Sequence, residues 1–509
     1  MSKKFYITTP IYYVNDRPHI GHAYCTIVAD VVARAHRLMG DEVFFLTGLD
    51  EHGQKVQQAA QAKGVAPQQF CDEMAPHWRE LWPRLDISND DFIRTTEPRH
   101  KAVVQSLLQQ LYDKGEIYSG EYEGWYSARA EQFLTEKEMG PDGKFPAEYG
   151  EVVRLTEKNY FFKMSKYQDW LIGYIRDNPG FVHPDYRANE ILGFLQKPLA
   201  DLCISRPKTR LTWGIPLPFD PEHVTYVWFD ALTNYVTAAG YGTPRFEQCW
   251  PADVHLIGKE ILMFHACYWP IMLKACGIPL PRQVAAHGWW TRDGQKMSKS
   301  VGNVVDPVAV VEAWGADALR YYLLRELPVG SDGDWSDTNF ARRYNGELAN
   351  DLGNLLNRAL SMIKRYCKGI VPAPGPAEPL DDELKATALD IAKRFPDRVA
   401  KLEVNQLLGD IWELIRRGNQ YVDASAPWAL AKDPAKAMRL GTVLYNLAET
   451  CRIIGILLAP FMPSSADKIR AQIGVGSAPA TLADAQKWGV LVPCRPLGEV
   501  TPLFPRKDK

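Results

Sequence analysis

The sequence has no uninterrupted apolar run of membrane-spanning length, and Met1-Ser2-Lys3-Lys4 runs straight into strand formers without the apolar core of a secretory signal. These absences predict a cytoplasmic protein with no membrane partner. Cysteine is scarce as well: nine residues, an odd number, are scattered without a framework spacing, and no Cys-x-x-Cys occurs anywhere. A disulfide scaffold is thereby excluded, and free thiols in a reducing compartment are expected. Excess charge of one sign is missing too. A formal net charge of −2 excludes capture of nucleic acid by the whole surface, so any such partner must meet local basic faces. What is present is bulk: 509 residues, 46% hydrophobic, make a globular chain of about two to four domains.

Two short segments far apart carry chemistry. Phe5-Tyr6-Ile7-Thr8-Thr9 reads as a strand that breaks at Pro10, and the turn Asn15-Asp16-Arg17-Pro18 leads into a helix. Ile20, Tyr24, Ile27, Val28, Val31 and Val32 fall on its apolar face, with Gly40 as a stop. His19 and His22 therefore stand on the first turn, where free N–H groups and the helix dipole favour an anion, and Gly21 lets a ligand approach the backbone. A lone histidine on a helix is usually a satisfied surface or core residue. The second segment, Lys296-Met297-Ser298-Lys299-Ser300, would alone pass for a solvated loop. Its flanks argue otherwise: a strand ends at His287-Gly288, a turn follows at Thr291-Arg292-Asp293-Gly294, and Asp306-Pro307 caps a downstream helix. A loop of this kind can close over a triphosphate, its ammonium groups stabilising charge on departing phosphate oxygens.

With both in hand, the chain resembles the class I aminoacyl-tRNA synthetases, whose HIGH and KMSKS motifs stand here in full and in family order. Over nearly the whole 509 residues it resembles the methionyl-tRNA synthetases in particular. The segments carrying that match are Thr8 to Asn15, Thr47 to Gly53, Val227 to Tyr235 and Gly258 to His265. The resemblance implies activation of L-methionine by ATP with Mg2+, then transfer to the 3′-terminal ribose of initiator and elongator tRNA(Met).

The implied fold is α/β: a Rossmann-like parallel sheet split by a connective-peptide insertion, followed by a C-terminal α-helical bundle. The expected segments are 1–115 and 216–290 for the two halves of the sheet, 116–215 for the insertion, 291–345 for the KMSKS loop and stem contact, and 346–509 for an anticodon-binding bundle. Many relatives carry zinc-binding cysteine pairs in the insertion; here the matching stretches read Tyr126-Ser127-Ala128-Arg129-Ala130 and Phe145-Pro146-Ala147-Glu148. Zinc needs three or four thiolate or imidazole ligands, so no metal site and a knuckle held by packing are expected. The stretch after Phe461-Met462-Pro463 is too short for a further domain, and a monomer is expected.

Site residues follow from chemistry and resemblance together. A thioether gains from aromatic contacts and adaptable apolar walls. Ile11, Tyr13, Trp228, Ala231, Leu232, Tyr235, Ile261, Phe264 and His265 supply such a wall, with Trp228 and Phe264 expected at strand ends and Asp50 paired with the substrate ammonium. His19, Gly21, His22, Gly258, Glu260, Lys296 and Lys299 match the ATP site, Glu260 at the ribose; His19, His22, Lys296 and Lys299 are the catalytic set. Asn354, Arg358 and Trp428 match the anticodon readers. The insertion of about a hundred residues is too small for the editing domain of the leucine, isoleucine and valine enzymes. A small nucleotidyltransferase would lack the helical bundle, and a non-catalytic relative would be expected to lose one of the two motifs.

Overall fold

Phe5, Ile7 and Tyr12 of the first strand pack into one core and Tyr6 into another, so this strand needs cover on both faces. A strand of that kind belongs inside a parallel sheet. The computed structural model describes residues 3–507 apart from Asp16, 128–131, 135–137, Pro141, 298–301 and 477–478. Its main sheet is wholly parallel, built from β1 (Lys4–Tyr13), β2 (Glu42–Asp50), β3 (Asp91–Arg94), β4 (Val182–His183), β5 (Val254–Gly258) and β6 (Val284–His287). The order is β3-β2-β1-β5-β6-β4. Strand order reverses at β1 and β5, and the crevice beyond their carboxyl ends is where such sheets bind ligands.

Two expectations are corrected here. Pro10 does not end the strand; the register against β2 shifts between Thr8 and Ile11, and β1 runs on to Tyr13. The irregularity accommodates the missing N–H and flips the side-chain parity, bringing Tyr12 to the face of Phe5 and Ile7. Second, the stretch 116–215 is not wholly apart from the sheet. Strands Ile117–Ser127, Gln132–Leu134, Val152–Phe162 and Leu202–Cys203 form a separate antiparallel sheet, but β4 pairs with β6 inside the main one.

Helix α1 (Ile20–Leu38) lies against the sheet and is buried on nearly every side. Its outer side is covered in part because Arg320 of α4 (Ala316–Glu326) pairs there with Asp30 at 2.7 Å. Helix α3 (Pro307–Trp314) precedes α4 and is capped as expected, the Asp306 carboxylate accepting Val308 N–H at 2.8 Å. Beyond lie α5 (Asn354–Tyr366), α6 (Val404–Ser425) and α7 (Ala437–Leu458), whose apolar faces join the same core as α1. Residues Pro434–Leu458 form a helix long and apolar enough on average to cross a membrane, yet it is buried in the bundle and carries Arg439, Glu449 and Arg452. The segment after α7 turns back across the bundle: Val371 donates to Arg495 O at 2.8 Å and the Tyr344 hydroxyl to Pro505 O at 3.0 Å.

Arg320 is fully buried, and besides Asp30 it donates to the carbonyls of Leu85, Pro460 and Phe461 at 2.7–3.0 Å. Removing one partner of a buried pair leaves the other uncompensated. Arg320→Met is expected to cost about 3–5 kcal/mol, read as a shift of the main urea transition to lower denaturant; an unmoved transition would refute the keystone role.

Candidate active site

A cavity of about 450 Å³ opens beyond the carboxyl ends of β1 and β5. Strand ends supply Tyr13, Asp50, Gly258 and His287, while His19, Gly21 and His22 enter from the start of α1. All the expected amino-acid-site and nucleotide-site residues line this cavity except Phe264, Lys296 and Lys299. Phe264 stands directly behind, stacked on Trp228 with centroids 3.4 Å apart. Lys299 lies outside the described residues, as does the side chain of Lys296, whose backbone pairs with Thr291 in a short hairpin. Their neighbour Met297 lines the cavity and also a second one of about 510 Å³, which shares Arg17 and His19 and adds His77 and Arg84.

The start of α1 is organised differently from the expected ring of free N–H groups. His19 is itself the cap: its Nδ1 accepts Gly21 N–H at 3.1 Å, and His22 Nδ1 accepts His19 N–H at 3.1 Å. Ile20 N–H donates to Val305 O at 3.2 Å, just downstream of the lysine loop. The backbone donors are thus spent, and the imidazoles take over. With Nδ1 accepting in both rings, the neutral form of each carries its proton on Nε2. Burial, then His19 and His287, push His22 well below the usual histidine range, so that ring is neutral at pH 7. Gly21 lines the cavity and also makes room for the capping ring, since a Cβ there would stand 3.0 Å from His19 Cε1.

The aromatic wall is neutral too. Trp228 lies on the first turn of α2 (Val227–Ala239) and Phe264 at the start of a π-helical turn, Phe264–Tyr268, neither at a strand end. Such turns are frequent at functional sites because they re-aim side chains. His265 Nδ1 bonds Ile261 O at 3.0 Å, so its Nε2 accepts the Tyr235 hydroxyl at 2.7 Å. Burial holds His265 down to about 4, leaving an uncharged Tyr235–His265 pair at neutral pH.

At the opposite end, Gly258 is required by Glu260, whose carboxylate folds back to within 2.5 Å of where a Cβ would sit. Glu260 accepts the Trp289 indole N–H at 2.7 Å. The region just before the lysine loop, a further candidate for the adenosine site from the sequence, brings His287 and Trp289 to the cavity wall.

Comparison with known proteins is consistent along the whole chain. The family profile "tRNA synthetases class I (M)" matches residues 5–153 and 148–360. The chain is 48% identical to the methionine–tRNA ligase of Caldanaerobacter subterraneus, over 100% of this chain and 80% of that protein. It is 47% identical to that of Bacillus subtilis, over 99% and 78%. The chain belongs to the class I methionyl-tRNA synthetases. A solved Mycobacterium tuberculosis methionyl-tRNA synthetase in complex with methionyl-adenylate superposes with a TM-score of 0.95 at 43% identity, covering 99% of this chain and 100% of that one. As a methionyl-tRNA synthetase this enzyme activates methionine with ATP and transfers it to tRNA.

The tRNA end of the synthetase matches "Anticodon binding domain of methionyl tRNA ligase" over residues 371–493. Trp428 is 44% exposed in the short helix Pro427–Leu430, so its ring stands at the surface and not in the bundle core. The Arg358 guanidinium lies 5.9 Å from its centroid while bonding Asp423 at 2.5 Å, and Asn354 stands exposed one turn away on α5. The bundle thus brings Arg358 and Trp428 together from elements seventy positions apart in sequence.

Asp230 escaped the sequence reading, though a carboxylate inside the apolar run Val227 to Tyr235 was the available signal. It is 1% exposed and accepts from His52 Nδ1 at 2.6 Å and His100 Nε2 at 2.7 Å, tying the first turn of α2 to the loop after Asp50. Burial pushes its pKa up, but His52 and His100 together hold it down to about 2. A folded value below the unfolded one stabilises above about pH 4, and that contribution fades as pH falls toward 2. Asp230→Asn in this synthetase should lose about 2 kcal/mol at pH 7, with the gap to wild type closing in acid; urea titrations across pH would reject this if the gap were constant.

Proposed function

We propose that the 450 Å³ cavity is the site where methionine and ATP react, with the amino acid against the aromatic wall and the nucleotide against Glu260 and the start of α1. The observation that carries this reading is the meeting of His19, His22, Asp50, Trp228, His265 and Glu260 around one crevice. Ile11, Tyr13, Ala231, Leu232, Tyr235, Ile261 and Phe264 complete the thioether pocket, whose uncharged Tyr235–His265 pair disfavours cationic and anionic side chains alike. Asp50 takes the ammonium group.

In the first step a methionine carboxylate oxygen bonds to the α-phosphorus while the bond to the bridging oxygen breaks and pyrophosphate leaves with its electrons. No side chain becomes a covalent nucleophile or general base. Imidazoles offering Nε2–H at His19 and His22, with the ammonium groups of Lys296 and Lys299, stabilise charge that grows on the phosphate oxygens. Magnesium accompanies ATP through phosphate oxygens and water. At the nucleotide end Gly21 and Gly258 leave room for the His19 ring and the Glu260 carboxylate. The methionyl group then passes to the terminal ribose of initiator and elongator tRNA(Met), whose anticodon is read by Asn354, Arg358 and Trp428 through stacking and hydrogen bonds to unstacked bases. We read the enzyme as a cytoplasmic monomer.

The insertion is proposed to be free of zinc. Where relatives place thiolates, Trp125 packs on Phe145 with centroids 5.8 Å apart, and Tyr126 lies under the Arg210 guanidinium at 4.0 Å. Neither Ser127 nor these rings is a plausible zinc ligand. Elemental analysis of the purified enzyme should find no stoichiometric zinc, and a full equivalent would overturn this point.

Amino-acid-dependent ATP–pyrophosphate exchange tests the main reading, since exchange with leucine or valine but not methionine would defeat it. Lys299→Ala should lower exchange turnover by about 10²- to 10³-fold with methionine binding nearly intact. Trp428→Ala should leave exchange unchanged while raising the KM for tRNA by about tenfold or more; equal loss in both assays would remove Trp428 from anticodon reading.

A further inference from the structure

Glu260 sits on a three-residue helical turn, Lys259–Ile261, so little in its own backbone fixes where the carboxylate points. Contacts from two other segments do. Trp289 donates its indole N–H to Glu260 Oε2 at 2.7 Å. Asp332 accepts the Trp289 backbone N–H on Oδ1 at 2.8 Å and pairs through Oδ2 with Lys259 Nζ at 2.6 Å. The Lys259 ammonium group also lies 4.1 Å from the centroid of the Trp289 ring, within cation–π range. One carboxylate thus holds the indole at its backbone and, through lysine, at its face.

The loop carrying Asp332 is anchored in turn. The Tyr186 hydroxyl donates to Gly330 O at 2.9 Å, and Gly333 N–H donates to Trp289 O at 2.8 Å. Gly288 permits the approach, because a Cβ there would stand 2.2 Å from Ser331 O. The Asp332 side chain is 51% exposed and still commits both oxygens to these two contacts. The contacts converge on one result. The indole occupies Glu260 Oε2 and leaves Oε1 for a ligand in the cavity that both residues line.

We propose that Lys259 and Asp332 are positioning residues for the nucleotide: they hold the Trp289 indole so that Glu260 presents Oε1 to a ribose hydroxyl of ATP. The inference rests on the reading of Glu260 as the ribose-binding acid. Lys259 and Asp332 touch neither reacting group, so they act on nucleotide affinity and ribose selectivity rather than on the chemical step.

The test is ATP–pyrophosphate exchange with Asp332→Ala, Asp332→Asn, Lys259→Met, Trp289→Phe and Glu260→Ala. Each is expected to raise the KM for ATP about five- to twentyfold with kcat and the KM for methionine within about threefold of wild type. The preference for ATP over whichever of 2′-deoxy-ATP and 3′-deoxy-ATP the wild type rejects should shrink in parallel. Trp289→Phe added to Asp332→Ala should cost little more than either alone, because both break one chain of contacts. An elevated ATP KM in Glu260→Ala with unchanged values in Asp332→Ala and Lys259→Met would overturn the latch and keep the ribose assignment. An unchanged ATP KM in Glu260→Ala would overturn the assignment and the latch with it. Loss of kcat with ribose selectivity intact would mark a merely structural role and also reject the proposal; should Asp332→Ala not fold, the Asn and Lys259→Met variants carry the same readouts.

Discussion

The buried pair of Arg320 and Asp30 is the joint on which the rest of the molecule depends. Asp30 belongs to α1, the helix that starts at His19, and it also accepts from Arg34 and from the backbone and hydroxyl of Ser88. Arg320 belongs to α4, and its remaining donors satisfy carbonyls at Leu85, Pro460 and Phe461. Every charge in this arrangement has a partner, which is the condition under which burying it is tolerable. Desolvation raises the Asp30 pKa, but the two arginines and the Ser88 donors together outweigh it and hold the carboxyl below its usual range. Next to it Asp317 accepts Ser465 N–H at 2.5 Å, so α4 also grips the helix after α7. Helix α1 and the C-terminal bundle are therefore built against a shared element instead of being strung on a linker.

That rigidity bears on the electrostatics of the cavity. A helix start facing phosphate ordinarily offers backbone N–H groups, but here the capping rings and Val305 use those donors up. The consequence is a gain in direction. An imidazole whose Nδ1 is committed to the backbone has one proton and one place to carry it, so the donor is set before ATP arrives. Burial keeps His22 neutral, so it adds no positive charge to a cavity that Arg17 also lines.

What the sequence made legible was local. The capped helix after Asp306-Pro307, the strand ending at His287 and the apolar periodicity of α1 are set by neighbours within a few residues, and those are found as read. The expected cavity-lining residues were legible for another reason, since they fall in the four segments that match a family and in the His19–His22 motif. What escaped was set by contacts across long separations. β4 has only two residues, too few for a period, and is a strand only because β6 offers it a partner. Asp230 reads as an anomaly in an apolar run until His52 and His100, 178 and 130 positions away, close on it.

The same distinction explains how a site built largely on short turns can be well defined. Trp228, Glu260, His265 and Trp289 stand on helix starts, a single 3-10 turn, a π turn and a strand exit, none of which fixes a side chain by itself. Each has one polar or aromatic partner from a distant segment: Phe264 for Trp228, Tyr235 for His265, and Trp289 for Glu260. Behind these stands a further layer, Asp230 under α2 and Asp332 under Trp289, that touches no proposed ligand position. Geometry at the reacting atoms is a product of that second layer, because a first contact holds its angle only if its own partner is held. Residues at the cavity surface therefore tell which ligand fits, while the buried or half-buried acids behind them determine how well it is placed.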